Sequence, residues 1–364
     1  MKAWFLRHPK LHTWLLADLA LLGAFLLIRN SRPAMRALSA WATAVRRCLG
    51  RVCYLVDFSV MEALCVLLAA AVLAYLAVSA AVIWRGTGRR LDCLYTALMG
   101  ALCAGLTFYD ASCALWGVQY YTDSFQDLSG IYAQPVAAED LARVTEWFAA
   151  RLSAAAEQVA RDENGLFAEP RRPILENSVH AYDSVEQQFP FLSLEDTGVK
   201  PVHFSRVMSL LDFTGVYCPF TGESNVNIDS PACLLASTAA HELAHQRGIG
   251  SEQECNFLAI LASTTCGDPV YAYSGWLLGY IHLGNALYRV DYARWETVYA
   301  SLPASVRADM QDNNAYWAQF RDSPVQQVSN QVYDRFLKGY GQELGLQSYG
   351  TVVDLLVAYY KDVI

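Results

Sequence analysis

Three long apolar stretches dominate the first third of the chain. Residues 11–28 contain a single acid, Asp18; residues 63–84 contain no charged side chain; residues 94–118 are interrupted only by Asp110. A helix rises about 1.5 Å per residue, so roughly 20 apolar residues cross a hydrocarbon core of about 30 Å. The pattern therefore predicts three transmembrane helices, at about these three positions.

The segment between the first two stretches has a different pattern. Residues 35–51 mix Ala, Leu and Trp with four arginines, which predicts a basic amphipathic helix on the bilayer surface. A cleaved signal peptide is the alternative interpretation of residues 11–28. Those residues lead into Arg29 and Arg32 rather than into a small-residue cleavage site, so we favour a retained helix.

From about residue 122 onward, the pattern is typical of a mainly helical domain. Apolar positions recur at helical spacing over 136–161, whereas 202–228 is rich in aromatic and β-branched residues, which predicts short strands. Further helices are predicted over 231–247, 252–264, 273–288, 303–320, 325–338 and 352–362. We therefore predict a membrane region of transmembrane α-helices (1–121) followed by a mainly helical α+β domain with a short sheet (122–364).

Charge is divided unequally between the two parts. Residues 1–109 carry 12 Lys and Arg against 4 Asp and Glu, whereas residues 110–364 carry 15 against 31. The acidic second part would repel phosphates, which excludes a nucleic-acid partner, while the basic, apolar first part fits a lipid bilayer. Basic residues on the two sides of the spans balance at six against six, so positive-inside counting assigns no orientation. Because no Lys or Arg follows the third span until Arg143, we expect the second part to be extracytoplasmic.

One motif carries recognisable chemistry. His241, Glu242 and His245 form the pattern H-E-x-x-H. Residues four apart share a helix face, so both imidazoles can bind one ion, and Glu242 is close enough to hold a water molecule beside it. A solvated surface helix is the alternative, but the surrounding positions are mostly Leu and Ala, too apolar for exposure. Two buried histidines one turn apart need partners, and a metal ion supplies them.

The flanking sequence predicts the ends of this helix and a third ligand. Ser230 and Pro231 fit its N-cap and first position, and Gly248 fits the position after its end. A catalytic zinc site needs three protein ligands, and a chain that reverses after Gly248 brings Glu252 or Glu254 back to the ion. The ten cysteines include no C-x-x-C pair, so they predict no cysteine-based metal cluster.

Several sequence blocks are distinctive. They read GVYCPFTGE at 215–223, AHELAHQ at 240–246 and EQECNFLA at 252–259, with shorter matches at 116–121, 273–275 and 348–349. In these blocks the chain resembles an uncharacterised bacterial membrane family, the domain of unknown function 3810. The resemblance covers nearly the whole chain. It implies N-terminal spans followed by a gluzincin-like, zincin-fold metallopeptidase domain, with the short sheet beside the H-E-x-x-H helix, and it supplies no substrate.

Gluzincins place their third ligand in the pattern Glu-x-x-x-Asp, and Glu252 with Asn256 is similar here. The resemblance therefore implies that His241, His245 and Glu252 hold Zn²⁺, with Glu242 as the general base. In such sites the Asp carboxylate orients a ligating histidine. Asn256 has an amide in place of that carboxylate, which weakens this orienting interaction.

Other residues near the motif have candidate roles as well. Ser251 and Glu254 fit a capping box, S-x-x-E, which gives Glu254 a role other than metal binding. Tyr217, Tyr273 and His282 are candidates for the electrophilic side chain that usually accompanies such an ion.

Together these features predict a membrane-anchored zinc-dependent metallopeptidase that hydrolyses peptide bonds. Its expected partners are a peptide or protein substrate, lying along residues 213–227, and the lipid bilayer of the bacterial cell membrane. The alternative is a catalytically weak or inactive membrane binding module that zinc only stabilises. An intact Glu242 favours the enzyme, because a structural site has no use for a general base.

Overall fold

The computed structural model describes residues 7–86, 88–195, 197–321, 323–339 and 349–364, so that Ser348 of the last matched block lies outside the described residues. Three helices within these ranges are long and apolar enough to cross a membrane: α1 (Pro9–Ile28), α3 (Val60–Arg85) and α4 (Arg90–Leu115). Their side chains are mostly exposed, as expected of surfaces that face lipid. The three predicted spans are confirmed as helices, and the third ends earlier than predicted, before a 3₁₀ turn at Gly117–Tyr120.

Helices α1 and α4 run in the same direction. His12 lies 2.5 Å from the Tyr95 hydroxyl near the start of both helices, and Phe25 contacts Tyr121 beyond their ends, with ring centroids 5.9 Å apart. Helix α3 runs the opposite way and connects directly to α4. The ends of α1 and α4 and the start of α3 therefore all lie on the side of the second part.

The predicted amphipathic helix between the first two spans is α2 (Arg32–Cys53), and it is confirmed as a helix. Met35 and Ala42 on its apolar face are fully buried against Phe25 of α1 and against Cys113 and Val118. Part of the apolar surface of α2 thus packs on protein, whereas Trp41 and Val52 are 52% and 64% exposed, and its placement on the bilayer surface stays a prediction. Amphipathic spacing alone does not distinguish these two environments.

The second part is mainly helical, as predicted. Its helices are α5 (Phe125–Ser129), α6 (Ala138–Ala156), α7 (Arg171–Glu176), α8 (Asp183–Gln188), α9 (Ser205–Leu210), α10 (Leu235–Gln246), α11 (Glu252–Thr265), α12 (Pro269–Val290), α13 (Tyr292–Ser301), α14 (Ala304–Ala318), α15 (Pro324–Gly339) and α16 (Tyr349–Tyr360). The prediction of extended chain over 202–228 is wrong in part, because that segment includes α9. A six-residue helix is too short to show helical periodicity.

A three-stranded sheet lies beside α10. Its strands are β1 (Lys200–Pro201), β2 (Gly215–Cys218) and β3 (Glu223–Val226), in the order β1-β3-β2. The central strand β3 is parallel to β1 and antiparallel to β2. The Ser224 hydroxyl of β3 donates to the backbone carbonyl of Glu242, 3.0 Å away. The predicted short sheet beside the H-E-x-x-H helix is therefore present, with β2 at its edge.

Two carboxylates join the second part to the start of α3. Glu223 of β3 accepts hydrogen bonds from the first two backbone N–H groups of α3, at 3.1 and 2.8 Å, and pairs with Lys200 at 2.7 Å. In return, Glu62 in the first turn of α3 accepts from the backbone N–H groups of His203 and Phe204, at 2.9 and 2.6 Å. The two regions are thus bonded directly to each other, and the division at residue 121 stays a prediction.

Candidate metal centre

Helix α10 presents His241 and His245 on one face, with ring centroids 4.9 Å apart. The predicted cap is wrong: α10 is preceded by a 3₁₀ turn (Ala232–Leu234), and Ser230 lies outside both. The predicted end is confirmed. Gly248 adopts the left-handed conformation with φ of 93°, and its N–H donates to the His245 carbonyl at 2.9 Å.

The reversal after Gly248 brings Glu252, the first residue of α11, to both histidines. One Glu252 oxygen lies 3.1 Å from Nε2 of His241 and the other lies 3.5 Å from Nε2 of His245. Burial alone would raise the pKa of Glu252, but the two imidazoles outweigh burial and hold that pKa well below its usual range. Three of the four residues predicted for the site therefore converge on one point.

The opposite ring nitrogens fix how the imidazoles point. Nδ1 of His245 lies 2.8 Å from the carbonyl oxygen of Ile249, which can only accept, so Nδ1 carries a proton and Nε2 is the nitrogen left to bind a metal ion. Nδ1 of His241 lies 2.9 Å from Oδ1 of Asn256, as the spacing of Glu252 and Asn256 suggested. The Nε2 atoms of both imidazoles therefore face the Glu252 carboxylate, and they are the nitrogens that would bind a metal ion.

These distances fit a zinc ion. Two ligand atoms about 2.0–2.1 Å from zinc at a tetrahedral angle lie about 3.3 Å from each other. The two Nε2-to-oxygen distances, 3.1 and 3.5 Å, bracket that value. The donor set of two imidazoles and one carboxylate is also one that zinc enzymes use.

The structure contains a second candidate donor that sequence reasoning missed. His241, His245 and Cys255 each offer a ligand atom within 4.8 Å of the others. However, Sγ of Cys255 lies 3.3 Å from Nδ1 of His245, on the side of the ring that already faces Ile249. Burial also raises the pKa of the Cys255 thiol to about 12, which disfavours the thiolate that binds metals. The sequence did not predict Cys255 as a donor, because a lone cysteine three residues after Glu252 matches no metal-binding pattern.

Glu254 has a different position from the one predicted. Ser251 makes no side-chain cap to α11, so the predicted capping box is wrong. Instead, the buried Glu254 carboxylate accepts from the backbone N–H groups of Phe125 and Gln126, at 3.0 and 3.2 Å, at the start of α5. Glu254 therefore caps a helix distant in sequence and does not reach the histidines.

The Glu242 side chain is buried directly beside the point where His241, His245 and Glu252 meet. Its Oε2 atom has no hydrogen-bond partner among the described residues, and burial raises its pKa to about 7. The carboxylate lies against Gly215 of the edge strand β2, where an added Cβ atom would be only 2.4 Å from Oε1. A buried carboxyl group with a pKa near neutrality and one oxygen without a partner can accept and return a proton.

His241, His245, Glu242 and Glu252 all line one cavity of about 720 Å³, which we call the metal cavity. Of the predicted electrophilic candidates, Tyr217 and His282 line it, and burial lowers the pKa of His282 to about 4. Tyr273 does not line the cavity, because its hydroxyl group donates to the buried Asp309 in the core. Sequence reasoning missed Tyr333 of α15, which donates to Glu252 at 2.6 Å.

Comparison with known proteins agrees with the sequence blocks. A family with the description "Protein of unknown function (DUF3810)" matches residues 40–357. Neither the search of curated proteins nor the search of solved structures gave a match. The matched region covers most of the chain and includes the greater part of α2, the sheet and the whole candidate metal centre. The chain therefore belongs to this family of proteins of unknown function.

Proposed function

We propose that this protein is a membrane-anchored, zinc-dependent metallopeptidase with a gluzincin-like site in a zincin-like domain. The observation that carries the proposal is the convergence of His241, His245 and Glu252 beside the unpartnered oxygen of Glu242. A structural zinc site uses four protein ligands and needs no free carboxylate, whereas a catalytic site keeps one position open.

In this proposal His241, His245 and Glu252 hold the ion. When bound, zinc lowers the pKa of a water molecule to about 7 and polarises the carbonyl that is attacked. Glu242 would accept a proton from the attacking water and return it to the leaving amine. Asn256 and the Ile249 carbonyl keep the two imidazoles in the orientation that presents Nε2.

The edge strand β2 supports a peptide as the substrate. Among the described strands it pairs only with β3, and Gly215, Val216 and Tyr217 line the metal cavity. An extended peptide can add to such an edge through backbone hydrogen bonds, which would place its carbonyl groups alongside Glu242. This is the segment along which the sequence predicted a substrate to lie.

The test uses the full chain in detergent micelles, with metal analysis and a peptide-library cleavage assay. We expect about one zinc per chain and cleavage by the wild type. Glu242→Gln should abolish cleavage and keep the zinc, because Glu242 is proposed as a base and not as a ligand. Glu157→Gln, at an exposed position, is the matched control and should change neither. Zinc binding without any cleavage by the wild type would instead favour the zinc-stabilised binding module, and loss of zinc in Glu242→Gln would refute the role assigned to Glu242.

A further inference from the structure

The metal cavity has a wall made by a membrane helix. Phe108 and Ser112 of α4, followed by Trp116, line the same cavity as His241 and Glu242. Phe108 is seven residues before the end of α4, about 10 Å along the helix axis. Its ring stacks on Phe220 in the turn between β2 and β3, with centroids 5.1 Å apart. The cavity thus extends down to the level of the membrane-spanning segment.

The domain is held in this position at several points. The hydrogen bonds that Glu223 and Glu62 each accept tie the second part of the chain to the start of α3. The β2–β3 turn also presses on α2: an added Cβ atom at Gly222 would lie 2.3 Å from the Arg46 carbonyl. These contacts with α2 and α3 hold the cavity beside the membrane helices.

An apolar groove leads away from the metal cavity. It is lined by Leu211 and Phe213 on one side and by α15 on the other, and it has a volume of about 770 Å³. Val328 and Val332 of α15 are 61% and 62% exposed there, an unusual exposure for valines on one helix face. Phe213 and Tyr333 line both the groove and the metal cavity, so the two spaces adjoin at these side chains.

The apolar surface continues toward α3. Phe204 and Val207 at α9 are 52% and 50% exposed, and the Phe204 backbone is bonded to Glu62 in the first turn of α3. Helix α15 is fastened to the end of α9, because the Ser329 hydroxyl donates to the Leu211 carbonyl at 2.8 Å. Exposed apolar side chains therefore lie between the start of α3 and the groove that adjoins the metal cavity.

We propose, resting on the peptidase function above, that the substrate is a membrane-embedded polypeptide cut immediately next to its apolar segment. The groove holds that apolar segment, and β2 binds the adjoining extended residues. A soluble peptide would leave the groove and the α4 wall without contacts, and exposed apolar surface of this extent gains stability when an apolar partner covers it.

The experiment uses the full chain in liposomes with two co-reconstituted substrates. Both carry the same cleavable sequence on the same transmembrane segment, but in one a flexible Gly/Ser linker of about 30 residues separates the site from the membrane. Both are equally concentrated in the bilayer, so a difference in rate reports on position. We expect the juxtamembrane site to be cut at least about 10-fold faster, a difference of about 1.4 kcal/mol.

Substitutions in the groove test its role. Val328→Gln should lower this rate ratio about 10-fold, whereas Val290→Gln, equally exposed at the end of α12, should keep it within about twofold. Zinc content and thermal unfolding check that both variants fold. Equal rates for the two substrates would overturn the proposed substrate class and leave the peptidase intact. A high ratio that Val328→Gln does not change would overturn the role of the groove, and no cleavage of either substrate would overturn the peptidase function itself.

Discussion

Two acids, two residues apart, illustrate how position decides a role. Glu252 faces two imidazoles, whereas Glu254 binds the first backbone N–H groups of α5. Under chelator challenge we expect Glu252→Ala to lose its metal much faster than the wild type. Glu254→Ala should retain the metal but lose about 3 kcal/mol of unfolding free energy, because two buried donors lose their acceptor. Zinc retention and thermal unfolding, measured on both variants, check this pair of outcomes. The assignment is wrong if Glu254→Ala loses the metal and Glu252→Ala keeps it.

Gly215 leaves the space that Glu242 occupies. An added methyl group would overlap the Glu242 carboxylate, so Gly215→Ala should displace the proposed base while the ligands stay in place. A displacement of about 1 Å at a reacting group costs about 100-fold in rate, and we expect a loss of that order in kcat/KM. Steady-state kinetics and zinc stoichiometry measure the two effects separately. Activity at the wild-type level would show that the Glu242 carboxylate does not need this space.

At the residue scale, the H-E-x-x-H spacing sufficed to predict which side chains share a face. Asn256 was predicted as the partner of an imidazole for the same reason, since it is one turn after Glu252. Tyr333 and Cys255 could not be predicted. Tyr333 comes from a helix about 80 positions away, and its approach to Glu252 depends on tertiary packing rather than on a local pattern.

At the scale of elements, the pair of helices α10 and α11 builds the metal centre. Asn256 of α11 accepts from His241 of α10 and so sets the orientation of the imidazole. Asn256→Ala should weaken zinc affinity about 10- to 100-fold, as loss of such a partner typically does, whereas Asn256→Asp should bind zinc at least as well as the wild type. Competition titration with a zinc chelator measures both. An unchanged affinity in Asn256→Ala would remove Asn256 from the site.

The contact between α2 and the β2–β3 turn gives a second test at this scale. Gly222 has φ of 68°, and its missing side chain lets the turn approach the Arg46 carbonyl. Gly222→Ala should lower the unfolding free energy by about 3 kcal/mol, from the left-handed backbone and the overlap together. Gly165→Ala is the matched control, because Gly165 also has positive φ but has no atom within 4 Å of an added Cβ. Equal thermal shifts in the two variants would show that the contact with α2 contributes nothing.

Helix α2 also shows a limit to what a sequence pattern predicts about a helix. Its apolar spacing predicted an amphipathic helix correctly, but lipid and protein offer the same apolar environment to such a face. The segment 202–228 failed for another reason, since α9 is shorter than two helical turns and aromatic and β-branched residues around it dominate the pattern. In both cases the outcome depends on packing against neighbouring elements, which a local sequence pattern does not contain.

At the scale of the whole molecule, the direction of the helices constrains how the chain lies in a membrane. Helices α1 and α4 are parallel and α3 is antiparallel, so the start of α1 and the metal centre are on opposite sides if all three helices cross. The lack of Lys and Arg between the third span and Arg143 is the ground on which we expect the second part outside the cytoplasm.

This orientation is a prediction that reporter fusions can measure. A reporter that is active only in the cytoplasm, fused after Tyr121, should stay silent, because the chain there has just left α4 on the side of the metal centre. The same reporter fused to the start of the chain is the matched control and should be active, since α1, α3 and α4 make an odd number of crossings. A reporter active only outside the cytoplasm should give the reverse result at both positions. A bright cytoplasmic signal after Tyr121 with a silent one at the start would reverse the orientation, and equal signals at both positions would show that the three helices do not all cross.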